Sequence, residues 1–243
     1  MNLSYKTFIS CFEQIAKHYY SNIDSYFKHK IENGRPVKSE LYEPKGNFGL
    51  LCTFKHFFNK EGKLLYSEKI KDDDNYKLFY IFNIRGEIIR FIEEWGSNET
   101  SAVVRLSYKN GLISTLKLEG IGCRHEGDYK LDFKYNEFNK IVQHYKEYIG
   151  DSFGYTEPPT YIKYNYVDNN YLLIEKTSSC SELNSLIHIN YDNKNRIIKY
   201  LDEGYIYESS KMEIYIYSDD NLTIEHYENS KLVNKSCIKK TNN

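Results

Sequence analysis

A chain of 243 residues is long enough for one large domain or two small ones, with a core that needs no disulfide or metal. Lys and Arg number 33, and Asp and Glu number 34. The resulting net charge of −1 gives no electrostatic reason to expect a nucleic-acid or membrane partner. Aromatic residues make up 16% of the chain, and Tyr and Phe favour strands over helices. We therefore expect a mainly β protein.

The cysteines indicate a reducing compartment. They are odd in number, and no two stand as close together as a zinc or redox site requires: Cys11, Cys52, Cys123, Cys180 and Cys237. The N-terminal segment contains no apolar stretch of signal-peptide length, because Glu13, Lys17 and His18 interrupt it. We expect free thiols, a cytoplasmic location, no metal and no cofactor.

The first part of the chain has a helical periodicity. Apolar residues recur at steps of three and four at Phe8, Cys11, Phe12, Ile15, Tyr19, Ile23, Tyr26, Phe27 and Ile31. This spacing predicts an amphipathic helix of about 25 residues that ends near Asn33-Gly34. Residues 1–46 would then form a capping helix and a linker, ahead of a β-hairpin repeat domain at 47–243.

From about residue 50 onward, the chain repeats a short unit. The unit is an aromatic residue, Asn or Asp, two variable residues, Gly or Asn, a residue that is often basic, and two aliphatic residues, and several copies depart from it. The Gly or Asn of the seven copies lies at Gly62, Gly86, Gly111, Asn139, Asn170, Asn195 and Asn221. An Asn or Asp side chain can bond to the turn backbone, and both Gly and Asn tolerate positive φ. Each copy therefore predicts a β-hairpin.

Seven hairpins in succession predict a curved antiparallel meander, a solenoid-like shell or a barrel, because open sheets of so many strands curl or close. In the second copy, Leu78 and Tyr80 alternate with Phe79 and Ile81, so both faces of this hairpin are apolar. We expect the N-terminal helix to pack across the first two or three hairpins, to cover the second face of this one and to cap the array.

The repeat unit resembles two known hairpin repeats. The segment from Tyr191 to Ile197 (YDNKNRI) resembles the tyrosine-aspartate (YD) repeats of Rhs-type polymorphic toxins, and the unit is also similar to MORN-type repeats. The resemblance covers roughly residues 50–235 and depends on the seven turn motifs. A Rhs shell has many more copies and encloses a toxin. A small hairpin-repeat protein resembles the immunity proteins encoded beside such toxins, which implies binding and neutralisation of a cognate toxin domain.

No catalytic or phosphate-binding motif is present, so the candidate site residues come from the two longest connectors. They are Arg124, His125, Glu126 and Asp128 in one connector, and Phe153 and Tyr155 in the other. Insertions in repeat proteins often lie on the binding face, and aromatic residues are enriched in binding hot spots. We expect these six residues to bind the protein partner, with no catalytic residue and no metal or cofactor ligand.

Two other functions stay open at this point. An enzyme or toxin could assemble its site from hairpin connectors around His125, Glu126 and Asp128, and a MORN-like structural scaffold would need no such site. If the interface lies outside the connectors, the polar sheet face of Lys130, Asp132 and Lys134 is the alternative. The sequence leaves the oligomeric state open.

Overall fold

The computed structural model describes residues 5–19, 25–45, 49–71, 74–95, 99–120, 128–149, 159–168, 170–178, 183–204 and 210–239. Within these residues it contains one helix and seventeen strands. In chain order they are α1 Tyr5–Tyr19, β1 Tyr26–Glu32, β2 Arg35–Tyr42, β3 Leu50–Phe58, β4 Leu64–Lys71, β5 Asp74–Phe82, β6 Ile88–Trp95, β7 Glu99–Lys109, β8 Leu112–Gly120, β9 Tyr129–Tyr135, β10 Ile141–Tyr148, β11 Thr160–Asp168, β12 Tyr171–Ser178, β13 Leu183–Tyr191, β14 Ile197–Gly204, β15 Lys211–Tyr217, β16 Asn221–Glu228 and β17 Lys231–Lys239. The predicted class, mainly β with an antiparallel meander and one N-terminal helix, is confirmed.

The chain divides into two compact units. Unit 1 consists of Met1–Glu43, Leu50–Phe133 and Lys146–Glu157, and unit 2 consists of Pro44–Gly49, Lys134–Tyr145 and Pro158–Asn243. In unit 1, each strand from β1 to β9 pairs antiparallel with the next along the chain. In unit 2, the same rule holds from β11 to β17. Each unit is therefore built from sequential hairpins.

The predicted N-terminal helix is too long. Helix α1 ends at Tyr19, and residues 26–42, predicted to be helix and linker, form the hairpin of β1 and β2. Asn33 and Gly34 have φ values of 50° and 74° and connect two residues that pair across the strands, Glu32 and Arg35. Positive φ at both positions of an Asn-Gly pair is the signature of a type I′ hairpin turn. The same pair suits a helix C-terminus, which is why the sequence pattern alone was misleading here.

Helix α1 packs its apolar stripe on one face of the unit 1 sheet, which we call the inward face. Its buried residues are Phe8, Cys11, Phe12, Ile15 and Ala16. The ring of Phe12 meets Phe54 and His56 edge-on, at 4.9 and 5.1 Å between ring centroids. Further along the helix, His18 stacks on Phe133 at 4.3 Å. The helix therefore reaches from β3 to β9, more widely than the two or three hairpins predicted. Among the described residues, no helix has the length and apolarity needed to cross a membrane.

The second hairpin of the repeat is not buried on both faces, contrary to the prediction. Leu78 and Phe91 lie on the inward face and are almost fully buried. Phe79, which points the other way, is half-buried, and Ile81 is 44% exposed. A single helix covers one face of a sheet, and strand alternation places Phe79 and Ile81 on the other. The outer face of unit 1, turned away from α1, thus carries apolar side chains that the helix does not cover.

The predicted turn geometry is confirmed in five copies. Positive φ values between 57° and 82° occur at Gly62, Gly86, Gly111, Asn139 and Asn195. The side-chain oxygen of Asn83 accepts hydrogen bonds from the backbone N–H groups of Arg85 and Glu87, at 2.9 and 3.0 Å. Asn136 and Asp192 accept the equivalent pair in their own turns. The Asn or Asp that opens the unit therefore closes the turn through its side chain.

The left-handed conformation predicted at Asn221 is wrong, because this residue does not have positive φ. Asn170 follows a residue outside the described part of the chain, and its conformation stays a prediction. The backbone N–H of Asn170 donates to the carboxylate of Asp168 at 2.6 Å, and Asp168 pairs directly with Tyr171. In the other turn, the N–H of Ser218 donates to the carbonyl of Asn221 at 2.9 Å. Four residues separate the paired residues Tyr217 and Leu222, whereas five separate Phe82 and Ile88, so Asn221 stands at a different position of a different turn.

A β-bulge recurs beside the turns. The residue left without a partner in the ladder is Leu65, Ile89, Ser114, Val167, Ile198 or Val233. On β6, Ile88 and Phe91 are both buried although they stand three positions apart, so the two residues between them, Ile89 and Arg90, lie on the outer face. The bulge therefore moves the second aliphatic residue of the repeat from the core to the surface.

We expect Phe12→Ala to lower the free energy of unfolding by about 3–5 kcal/mol, because it removes an almost fully buried ring from the contact between helix and sheet. Urea unfolding followed by circular dichroism measures the change. The matched control is Ile89→Ala on the exposed bulge, which should cost less than about 1 kcal/mol. Equal losses in the two variants would contradict the assignment of α1 as the cover of the core.

Gly86→Val should destabilise the protein by about 1–3 kcal/mol, because a β-branched residue is strained at a φ of 79°. Gly86→Asn introduces a side chain of similar size that tolerates the left-handed region, as Asn139 and Asn195 do in equivalent turns. Gly86→Asn should lower the free energy of unfolding by clearly less than Gly86→Val does. Thermal melts of the two variants give the comparison, and identical melting temperatures would show that backbone conformation is not what selects glycine here.

Candidate functional site

Most of the predicted connector residues lie outside the described part of the chain. These are Arg124, His125, Glu126, Phe153 and Tyr155. The sixth, Asp128, immediately precedes β9, and its backbone carbonyl accepts a hydrogen bond from the N–H of Ile149 at 2.9 Å. This bond lies within unit 1, beside the start of β9 and the end of β10. The role of the connectors in partner binding stays a prediction.

A chain of hydrogen-bonded polar side chains runs under α1, across the inward face of β1 to β4. Glu13 on the helix bonds to Nε2 of His29 at 2.8 Å, and Nδ1 of His29 bonds to the hydroxyl of Ser39 at 2.8 Å. The Ser39 hydroxyl also meets Nε2 of His56 at 2.7 Å, and Nδ1 of His56 meets the hydroxyl of Ser67 at 2.7 Å. Four strands and the helix are thereby linked by one network.

One assignment of protons satisfies every bond of this network. With both imidazoles neutral and protonated at Nε2, His56 donates to Ser39, Ser39 donates to His29, and His29 donates to Glu13. Burial lowers the pKa of His56 to about 3, which favours the neutral form of this imidazole. Glu13, His29 and Ser39 follow each other as carboxylate, imidazole and hydroxyl do in a nucleophilic triad. The Ser39 side chain is fully buried, however, so a substrate cannot reach its hydroxyl in this structure.

A buried ion pair lies on the same inward face. Nζ of Lys69 is 3.7 Å from Oε2 of Glu93 and 4.0 Å from the centre of the Tyr76 ring. Burial lowers the pKa of the Lys69 ammonium, while Glu93 acts in the opposite direction. Ser101 donates its hydroxyl to the carboxylate of Glu93 at 3.2 Å. Each charge therefore has a partner, as buried charges require.

Unit 2 contains a separate polar cluster around the carboxylate of Glu213. Its Oε1 is 3.0 Å from Nδ1 of His226, and its Oε2 accepts a hydrogen bond from the hydroxyl of Tyr215. Burial raises the pKa of Tyr200 to about 12, and the charges of Asp202 and Glu213 add to this shift. Both carboxylate oxygens of Glu213 are engaged within the protein. In the parts of the chain that the structure describes, no three His, Cys, Asp or Glu side chains group as a metal site.

The outer face of unit 1 carries a row of apolar side chains, which we call the apolar row: Phe57, Tyr66, Phe79 and Ile92, on β3 to β6. Phe57 stacks on Tyr66 at 4.7 Å between ring centroids, and Tyr66 lies 5.8 Å from Phe79. Three more exposed aliphatic residues lie on the same face, and we call them the exposed cluster. These are Leu65, Ile81 and Ile89, exposed by 49%, 44% and 37%. The face thus offers a contiguous apolar surface to solvent.

Next to the apolar row stands a basic row on the same face. Its members are Arg90, Arg105, Lys117 and Lys130, which lie directly opposite one another on β6, β7, β8 and β9. Arg105 donates two hydrogen bonds to Glu119, at 3.0 and 3.1 Å, and the Lys130 ammonium is 2.5 Å from Asp132. Hydrogen bonding to Arg105 lowers the pKa of Glu119, and the charges of Arg90 and Lys117 act in the same direction.

Sequence reasoning did not find these two rows, although it kept Lys130 and Asp132 as an alternative interface. The four basic residues are separated by 15, 12 and 13 positions in the sequence. This spacing does not predict that they lie opposite one another, because their alignment depends on the register of the strands. A usable signal was present in the repeat itself. Its second aliphatic residue is replaced by Ser114 in one copy, which indicates a position outside the core.

Comparison with known proteins identifies no family for this chain. No protein-family model matches the sequence, and no curated protein matches it. A porin-like protein from Bacteroides uniformis has 8% sequence identity, with a TM-score of 0.44, over 88% of this chain and 92% of the other. A chain of the TcdB2-TccC3-Cdc42 structure has 10% identity and a TM-score of 0.39, over 88% of this chain but 14% of the other. Scores this low support no argument about function.

The buried His56 predicts a loss of stability in mild acid. Its pKa is about 3 in the folded protein and about 6.5 when solvated, so the unfolded state binds a proton first as the pH falls. The contribution of His56 to stability is complete above pH 6.5 and declines toward pH 3, by about 1.4 kcal/mol per pH unit. Urea unfolding between pH 7 and pH 5 measures the slope.

His56→Gln should remove most of this slope, whereas His226→Gln, at the partly exposed pair with Glu213, serves as the matched control. An unchanged slope in His56→Gln would mean that His56 is not the group that excludes a proton.

Proposed function

We propose that this chain is a protein-binding module that binds and neutralises a cognate toxin domain in the cytoplasm, with no catalysis of its own. The observation that supports it best is the exposed cluster of Leu65, Ile81 and Ile89 beside the apolar row. Contiguous apolar surface of this kind marks a site of protein contact.

The fold does not require aliphatic residues at the two bulges of this cluster. Leu65 and Ile89 occupy bulges that face away from α1, and the equivalent bulge beside the next turn is occupied by Ser114. A polar residue therefore suits the same backbone. Because exposed aliphatic side chains give the monomer little stability, their presence on one face favours a role in contact with another molecule.

The polar networks support binding rather than catalysis. Ser39 and His56 are buried, and Glu213 has both oxygens engaged, so these groups stabilise the fold. The toxin as partner follows from the resemblance of the repeat unit to YD repeats, which belong to polymorphic toxin systems. The six connector residues are retained in the proposal as partner-binding residues.

The decisive experiment is co-expression with the toxin domain encoded by the neighbouring gene. We expect this chain to restore growth of the host and to form a stoichiometric complex with the toxin on size-exclusion chromatography. Growth arrest that persists with a well-expressed, folded chain would overturn the proposal. Turnover of a small molecule by the purified chain would favour the enzyme instead.

A double variant tests the exposed cluster itself. Leu65→Glu with Ile81→Glu should weaken the complex at least tenfold, because two charges would be buried against apolar surface. The matched control is Ile198→Glu with Val233→Glu, which changes two exposed bulge residues of unit 2 in the same way. Isothermal titration calorimetry measures both affinities. An equal loss in the two double variants would show that the exposed cluster is not the contact.

A further inference from the structure

The basic row is an unfavourable arrangement within the monomer. Side chains directly opposite one another on antiparallel strands have Cβ atoms about 5 Å apart, and like charges in this arrangement destabilise the sheet. The row places Arg90 opposite Arg105, Arg105 opposite Lys117, and Lys117 opposite Lys130. Three successive like-charged pairs on four strands indicate a use outside folding.

Neighbouring carboxylates neutralise only half of the row. Glu119 engages Arg105, and Asp132 engages Lys130. Among the described residues, neither Arg90 nor Lys117 has a carboxylate within ion-pair distance, and the Nε–H of Arg90 is buried with no hydrogen-bond acceptor. Arg90 and Lys117 therefore act on Glu119 only at longer range, without an ion pair of their own. An acidic ligand would supply the carboxylates that these two side chains lack.

The spacing of the row fits an α-helix laid across the strands. Adjacent strands lie about 4.8 Å apart, so the four basic residues extend over about 14 Å. A helix advances about 5.4 Å per turn, so acidic residues three or four positions apart meet successive strands. The two rows share only β6, where Ile92 stands two residues, about 7 Å, from Arg90. From β6 the apolar row continues to β3 and the basic row continues to β9. A helix about 10 Å wide that crosses β5 to β8 therefore contacts the β5–β6 end of the apolar row and the β6–β8 part of the basic row.

We propose that the outer face of unit 1 docks an acidic amphipathic helix of the protein partner. The apolar stripe of that helix lies on Phe79 and Ile92, and its carboxylates lie on Arg90 and Lys117. This inference rests on the proposed function, because it specifies the chemistry of the partner that the module binds. The basic row could also bind phosphates, but the exposed aliphatic side chains beside it, Ile81 and Ile89, favour a helix with an apolar stripe over a nucleic acid.

Three labelled peptides of 18 residues test the proposal without the natural partner. The first is helical, with Glu on one stripe and Leu on the adjoining stripe, the second has the same composition in scrambled order, and the third has Lys in place of Glu. Fluorescence anisotropy should show binding of the first peptide only, weakened at least tenfold between 50 and 500 mM NaCl. Absence of binding by the first peptide, or equal binding of the first two, overturns the proposal.

Variants of the chain locate the binding site. Arg90→Gln with Lys117→Gln should weaken binding of the acidic peptide at least tenfold, and Lys117→Glu, at an exposed position, gives a single change that leaves the buried side chains in place. The matched control is Lys163→Gln with Lys199→Gln, two exposed lysines of unit 2. Unchanged affinity in Lys117→Glu, or tighter binding of a single-stranded oligonucleotide than of the peptide, overturns the assignment.

The outcomes for the two proposals are distinguishable. Rescue of growth without peptide binding would support the toxin-binding function and contradict the docked helix. Salt-dependent peptide binding that is lost in Lys117→Glu, without rescue of growth, would support the docking site and contradict a toxin as its partner.

Discussion

The contact between α1 and the inward face of unit 1 is the interaction on which the rest of the structure depends. Phe12 of the helix closes over Phe54 and His56 on the sheet, and this contact excludes water from a layer of polar side chains. The hydrogen-bond network from Glu13 to Ser67 depends on the helix in two ways. The helix covers the network, and it supplies the Glu13 carboxylate that accepts the last hydrogen bond. Burial then keeps His56 neutral, which links the stability of the fold to pH.

A helix that covers one face of a sheet leaves the other to solvent, and the β-bulges determine what that face displays. Beside the turns of β3–β4 and β5–β6, the bulge places a second aliphatic residue, Leu65 or Ile89, on the surface. The register of β6 to β9 brings four basic residues into line beside them. The same strand geometry that builds the core therefore also builds the proposed binding surface.

The candidate site was harder to predict than the fold because its parts are distant in sequence. Arg90 and Lys130 are 40 positions apart, and only the pairing of four strands relates them. Sequence reasoning favoured Phe153 and Tyr155 because an insertion that departs from the repeat can be read from the sequence. Which residues of neighbouring strands lie opposite one another cannot be read from it. Phe79 and Ile81 were recognised as apolar but were assigned to a second buried face, which the single helix does not cover.

The sequence by itself determined the mainly β class, the hairpin repeat and most of its turns, because these depend on local preferences. Asn83 and Gly86 specify their turn through a side-chain hydrogen bond and a positive φ that involve no distant residue. Only the tertiary structure decided where α1 ends, since Asn33-Gly34 suits both a helix end and a hairpin turn. It also decided which apolar residues are core and which are surface, because burial depends on what packs against each face and not on the residue itself.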